Sequence, residues 1–167
     1  MSIDRKVRVE DSVPAFKQAG ITGFTGCARQ VVQFRVAGDI TADDLNNIGY
    51  VAPINDVRVL DVILALENTG ADASNPLSME VDVLKNGSYT VLSTKPKLTK
   101  EAADGANTGA SGTGITEAVL VSTSYIDLDA GDHLEIDCDL TRNAGTVSDE
   151  MADLLVQIHL SVPPNNT

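Results

Sequence analysis

After residue 30, apolar residues recur at every second position through most of the chain, the spacing of β-strands with one face in a core. In VVQFRVA, Val32, Phe34 and Val36 share one face, and Gln33 and Arg35 take the other. Met79, Val81 and Val83 alternate with Glu80 and Asp82, and Lys85-Asn86-Gly87-Ser88 leads on to Tyr89, Val91 and Leu92. Asn-Gly between two such runs predicts a hairpin, because both central residues take positive φ. Asn86-Gly87-Ser88 also fits a glycosylation sequon, but no secretion signal accompanies it, so the turn is the stronger reading. EAVLVS (117–122) and YIDLD (125–129) predict two further strands. After an Ala130-Gly131 turn, Leu134, Ile136, Cys138 and Leu140 face one way, and His133, Glu135, Asp137 and Asp139 the other. Leu154, Val156, Ile158, Leu160 and Val162 mark a last inward row over 152–162, before PPNNT.

Three segments depart from this alternation. VRVLDVILAL (57–66) is apolar on both faces apart from Arg58 and Asp61, which predicts a strand central in the fold or at a subunit contact. Thr41 to Leu45 predicts one helical turn, with Thr41 as N-cap and Asp44 three residues on. Residues 94–115 are polar and rich in Gly, Ala and Thr, a long loop for a compact domain and so functional, mobile or partner-contacting, with a short helix expected in LTKEAAD. About eight strands separated by turn signals predict an all-β, antiparallel β-sandwich of jelly-roll-like type, with an immunoglobulin-like strand order as the alternative.

Residues 1–30 hold no lasting period. Pro14, Gly20, Gly23 and Gly26 interrupt them, and Phe16 and Phe24 stand as isolated anchors. They read as an extended N-terminal arm that orders against a partner or packs on its own domain. The expected organisation is an arm over 1–30 and a β-sandwich domain over 31–167 with the long loop 94–115.

Charge divides at the same place. Residues 1–30 carry five basic side chains (Arg5, Lys6, Arg8, Lys17 and Arg29) against three acidic ones, a net of +2. Residues 31–167 carry seven against twenty-one, a net of −14, and together these make the −12 of the whole chain. A pI near 4.3 argues against nucleic acid as partner, because phosphate binding needs clustered Lys and Arg. With 4% aromatic residues and no Trp, sugar-binding and base-stacking surfaces lose ground. No apolar run approaches the roughly 20 residues of a membrane span, and MSIDRKVRVED has no signal-peptide core, so synthesis in a cytoplasm is expected. Cys27 and Cys138 make no disulfide framework and read as two free buried thiols.

Candidate chemistry is sparse. Glu135, Asp137 and Asp139 in a row, with Asp127 and Asp129 nearby, read as the solvent face of an antiparallel sheet. Asp127-Leu-Asp129-Ala-Gly131-Asp132 faintly resembles a calcium loop, without the full spacing or a terminal bidentate Glu. His133 and His159 fall on outward faces, and Gly109-Ala-Ser111-Gly-Thr113 lacks the last Gly of a nucleophile elbow. With no P-loop, CxxC pair or HExxH, the expectation is no enzyme, no catalytic residue, no metal and no cofactor.

The arm, VAPINDVRVLDVILALE, the hairpin MEVDVLKNGSYTVLSTKPKL and LDAGDHLEIDCDL together resemble the head decoration (cement) proteins of tailed bacteriophages. The resemblance extends in style over most of 31–162, and no single motif in it is diagnostic. It implies a virion protein on the outer capsid surface, a homotrimer whose arms reach across neighbouring major capsid protein subunits and strengthen the shell. On that reading Arg5, Lys6, Arg8, Phe16, Lys17 and Phe24 are the capsid contacts, with Tyr50 a further exposed anchor or a core residue. Val57, Val59, Leu60, Val62 and Leu64 would form the trimer interface. The alternatives are a trimeric phage fibre-tip or receptor-binding module that recognises a cell-surface glycan through loops such as 94–115, and a bacterial adhesion module, which would carry a signal peptide.

Overall fold

The computed structural model describes residues 28–41, 47–52, 55–72, 76–142 and 147–162. The arm up to Cys27 and the helical turn expected at 41–45, apart from Thr41, lie outside the described residues, while Ala28, Arg29 and Gln30, expected in the arm, belong to the first strand.

Twelve strands follow one another: β1 (Ala28–Asp39), β2 (Asn47–Val51), β3 (Val57–Asn68), β4 (Ser78–Lys85), β5 (Tyr89–Thr90), β6 (Leu92–Thr94), β7 (Lys97–Thr99), β8 (Ile115–Thr116), β9 (Val119–Leu120), β10 (Asp127–Leu128), β11 (His133–Thr141) and β12 (Ala152–Val162). One sheet has the order β1-β12-β3-β10, a second β2-β11-β4-β7-β8, with β5 sharing an edge of β4 with β7, and β6 and β9 form a separate two-stranded sheet. With the short β5, β6, β8 and β9 set aside, eight principal strands remain, ordered first-eighth-third-sixth and second-seventh-fourth-fifth. That is the double Greek key of a jelly roll, and it excludes the immunoglobulin-like order. The pairs β12–β3, β3–β10, β2–β11, β11–β4 and β4–β7 are antiparallel.

The alternation read from the sequence is the alternation in space. Val81 and Val83 of β4, Leu134, Ile136 and Cys138 of β11, and Leu154, Val156, Ile158 and Leu160 of β12 fill the space between the sheets. Each large aliphatic side chain so buried contributes about 1.5–3 kcal/mol of transfer free energy. Burial also pushes the Cys138 thiol up to about 12, with the neighbouring Asp137 charge adding to the effect.

β3 lies inside its sheet, between β12 and β10. Its apolar look on both faces comes from a β-bulge: His159 pairs with Asp61 and Leu160 with Val59, so Leu60 is the extra residue. Val57, Val59, Val62 and Leu64 therefore all point into the core at 0–1% exposure, while Leu60 points out at 37%. Four of the five residues expected at a trimer interface are thus taken up by the chain's own core, and Leu60 alone of them is open to a partner.

The long loop also differs from expectation. Thr94 ends β6, Lys97–Thr99 form β7 and Ile115 begins β8, while Lys100 onward is turn rather than helix, so LTKEAAD holds no helix. The stretch then runs along the edge of β3 that β10 leaves uncovered. Thr108 N donates to Leu64 O (2.8 Å), Leu66 N to Ala106 O (3.2 Å) and Gly105 N to Glu67 O (3.0 Å). The buried Thr108 hydroxyl accepts from Leu64 N at 2.9 Å, and Asp104 Oδ1 accepts from Thr69 N at 3.1 Å. Residues 104–108 are an irregular edge cover that satisfies the backbone of β3.

The strands expected at 117–122 and 125–129 shrink to β9 and β10. Between them the Thr123 hydroxyl accepts from Tyr125 N and caps a 3₁₀ turn, Ser124–Ile126. Among the described residues no helix is long and apolar enough to cross a membrane.

Candidate functional site

Register brings three connections together at one end of the sandwich. Val51 pairs with His133, Leu134 with Lys85, and Leu128 with Val57. The β2–β3, β4–β5 and β10–β11 turns therefore meet there. The hairpin turn is as the Asn-Gly pair predicts: Asn86 and Gly87 have φ of 53° and 65°, and Ser88 N donates to Lys85 O at 3.1 Å.

Asp132 is the hub of this end. Its Oδ1 accepts from Asn86 Nδ2 (2.7 Å), and its Oδ2 from Asp129 N (2.9 Å) and pairs with Lys85 Nζ (2.8 Å). The Asn86 bond, then the Lys85 bond, then the Asp129 amide hold its carboxyl down at about 2. Lys85 also donates to Asp127 O at 2.7 Å, which ties β4 of one sheet to β10 of the other. Both oxygens of Asp132 are thus engaged by protein donors. Among the described residues, no group of three or more His, Cys, Asp or Glu is arranged to hold a metal.

Beside this latch Tyr89 and Tyr125 stack, with centroids 4.7 Å apart and planes 23° from parallel. Tyr89 pairs with Lys85 on β5, and Tyr125 sits in the 3₁₀ turn that packs against β3, so the stack bridges the two sheets at their open end. Both rings remain exposed, at 50% and 39%, and Arg58 and Asp127 pair nearby at 3.6 Å. Sequence reasoning missed this platform. Two tyrosines 36 positions apart carry no local signal, and only the register of β5 and β10 brings them together.

The outer faces of the two sheets differ in chemistry. On the β11–β4 pair, Asp137 lies directly opposite Asp82, and Asp139 opposite Glu80. Such like-charge pairs are destabilising on their own, and Lys95 and Lys97 offset them. Lys95 Nζ lies 3.2 Å from Asp82 Oδ2 and 3.9 Å from Glu80 Oε1, and Lys97 Nζ lies 3.9 Å from Glu80 Oε2. Burial works against the Lys95 charge, but the Asp82 hydrogen bond and the charges of Asp82, Glu80 and Asp137 outweigh it and raise its pKa. On the β12–β3 pair, by contrast, Leu155 lies opposite Ala65 and Gln157 opposite Ile63.

The remaining sequence candidates are not assembled into a site. His133 and His159 lie on different sheets, His133 beside Glu135 at 3.5 Å and His159 opposite Asp61. Ser111 donates to Glu117 at 2.5 Å on an exposed turn, with no strand-to-helix elbow around it. Tyr50 pairs with Leu134 on the core side, and burial raises its hydroxyl pKa. Arg5, Lys6, Arg8, Phe16, Lys17 and Phe24 fall outside the described residues.

No protein-family model and no curated protein matches this sequence. Similar solved chains include three from virus structures. One, from the cyanophage Pam1 capsid asymmetric unit, is 19% identical with a TM-score of 0.46, over 85% of this chain and 89% of that one. Another, from the infectious bursal disease virus Gx strain, is 11% identical with a TM-score of 0.37, over 85% and 35%. The third, from Desmodium yellow mottle tymovirus, is 14% identical with a TM-score of 0.33, over 84% and 91%. The jelly-roll assignment rests on the strand order above.

Proposed function

We propose that this chain is a structural virion protein that binds the outer surface of a tailed-phage head and clamps neighbouring major capsid subunits. The observation that carries the reading is the filled interior. Both sheets close on each other with apolar side chains, so what the chain offers other molecules is its outside. Jelly rolls serve as capsid, lectin and cupin modules, and the fold by analogy alone does not choose among them. A packed interior disfavours the cupin use, which needs a chamber for metal or substrate. Charge favours an assembly role: a −14 body keeps a densely coated particle soluble, and a +2 arm suits an acidic neighbour. Many weak copies, each held by an arm, stabilise a shell by multivalency.

In this reading residues 1–30 dock the capsid through Arg5, Lys6, Arg8, Lys17, Phe16 and Phe24, the body is a homotrimer, and no catalysis is assigned to it. The test is sedimentation with shells assembled without the chain. Full-length protein is expected to co-sediment, and a chain starting at Val31 to bind at least about tenfold more weakly. Unchanged binding without the arm overturns the docking assignment.

One observation favours the fibre-tip reading instead. The exposed Tyr89–Tyr125 stack, flanked by Arg58 and Asp127, is the kind of platform on which a sugar ring sits. A glycan array with wild type and Tyr125→Ala separates the two: specific binding lost in the variant supports a receptor module.

A further inference from the structure

The two outer faces are unequal in a way the overall charge conceals. The central cross-strand pairs of the β11–β4 face are Asp137–Asp82 and Asp139–Glu80. Those of the β12–β3 face are Leu155–Ala65 and Gln157–Ile63. Two copies that meet through the first face must desolvate Asp82, Asp137, Glu80 and Asp139, which among the described residues only Lys95 and Lys97 offset. Two that meet through the second bury uncharged, half-buried side chains at little desolvation cost.

Other features of the second face point the same way. A groove of about 290 Å³ lies at one end of it, with Ala37, Ala65 and Gly105 and the charged Arg35, Glu67 and Asp153 in its lining. Small side chains leave room for a neighbour's side chain, and the lining carries charges of both signs, so no like-charge repulsion bars a second copy. His159 lies on the same face, opposite Asp61.

The area is adequate. β1, β12 and β3 are 12, 11 and 12 residues long. At about 3.3 Å per residue and about 4.8 Å between strands they span roughly 500 Å². Two copies then bury roughly 1,000 Å², the lower limit of a specific interface.

We propose that the outer face of the β1-β12-β3 sheet is the surface through which this chain binds a second copy of itself, leaving the acidic β11–β4 face to solvent. This concerns self-association and not capsid binding, and a face that pairs with its own copy closes a two-fold dimer, so it differs from the three-fold body of the reading above. Leu60, the outward bulge residue of β3, extends the same face.

Sedimentation velocity of the full chain over a wide concentration range tests it, with Gln157→Lys and Ala65→Glu as interface variants and Asp139→Lys as control. The expected result is a wild-type oligomer whose association weakens at least about tenfold in each interface variant and stays within about twofold in the control. Thermal melts of each variant establish that it is folded. An oligomer weakened by Asp139→Lys, but not by the interface variants, overturns the face assignment alone. A wild type that is monomeric at every concentration overturns the face assignment and the homotrimer together, and a closed trimer with no dimer overturns the face assignment alone.

Discussion

Replacing Asp132 with Ala removes the acceptor shared by Asn86 Nδ2, Lys85 Nζ and Asp129 N, at 2.7, 2.8 and 2.9 Å. Bonds to a charged group contribute about 1.5–3 kcal/mol each when fully shielded. This carboxylate is 19% exposed, so water replaces part of each bond, and we expect a total cost of about 2–3 kcal/mol. The depressed pKa provides a second route. A fall from 3.8 to about 2 corresponds to about 2.4 kcal/mol, reduced to about 1–2 kcal/mol by solvent screening. The routes meet near 2 kcal/mol, or about 4–8 °C in Tm for a chain of this length. The folded pKa lies below the unfolded one, so this contribution is present above about pH 4 and is lost as pH falls towards about 2. Urea unfolding of wild type and Asp132→Ala should therefore differ by about 2 kcal/mol at pH 7, and the gap should narrow by about 1 kcal/mol at pH 3. A gap below about 0.5 kcal/mol at pH 7, or one unchanged at pH 3, would refute the latch.

Other perturbations follow from the same geometry. Thr108→Val leaves the buried Leu64 amide without its acceptor, which should cost about 1–3 kcal/mol and open residues 100–114 to limited proteolysis. Gly114→Ala should destabilise clearly more than Gly105→Ala in thermal melts. Both glycines have φ near +73°, but a Cβ at 114 meets Ala102 N at 2.5 Å, whereas one at 105 meets nothing within 4 Å. With Cys27 replaced by Ser, Cys138 should resist a thiol reagent at pH 8 in the folded protein and react once urea unfolds it, because burial holds its pKa near 12.

Much of the jelly roll was legible because its inner faces obey a strict period of two. Met79 to Val83, Leu134 to Leu140 and Leu154 to Val162 each alternate without interruption, and Asn86-Gly87 marks its turn by the positive φ it requires. What escaped notice depends on non-local pairing. The bulge at Leu60 shifts the phase of β3, so a strand with one buried face looked apolar on both. Residues 100–114 have the composition of a flexible loop, yet Thr108 and Asp104 fasten them to the edge of β3, an attachment only the fold discloses. Thr99 to Asp104 has helix-forming residues, and the pairing of Lys97, Leu98 and Thr99 with β4 overrides that preference. The candidate surfaces were least legible, since the Tyr89–Tyr125 stack and the contrast between the sheets' outer faces exist only once distant strands are in register.

The central claim is that this chain coats a virus shell. The most direct measurement is immunogold labelling of intact purified particles with antibodies raised against the acidic β11–β4 face. Regularly spaced gold is expected on the head surface of unopened particles, with the same protein recovered from those particles by mass spectrometry. Intact heads that bind no gold, with the chain confined to the tail tip or to the soluble fraction, would contradict it.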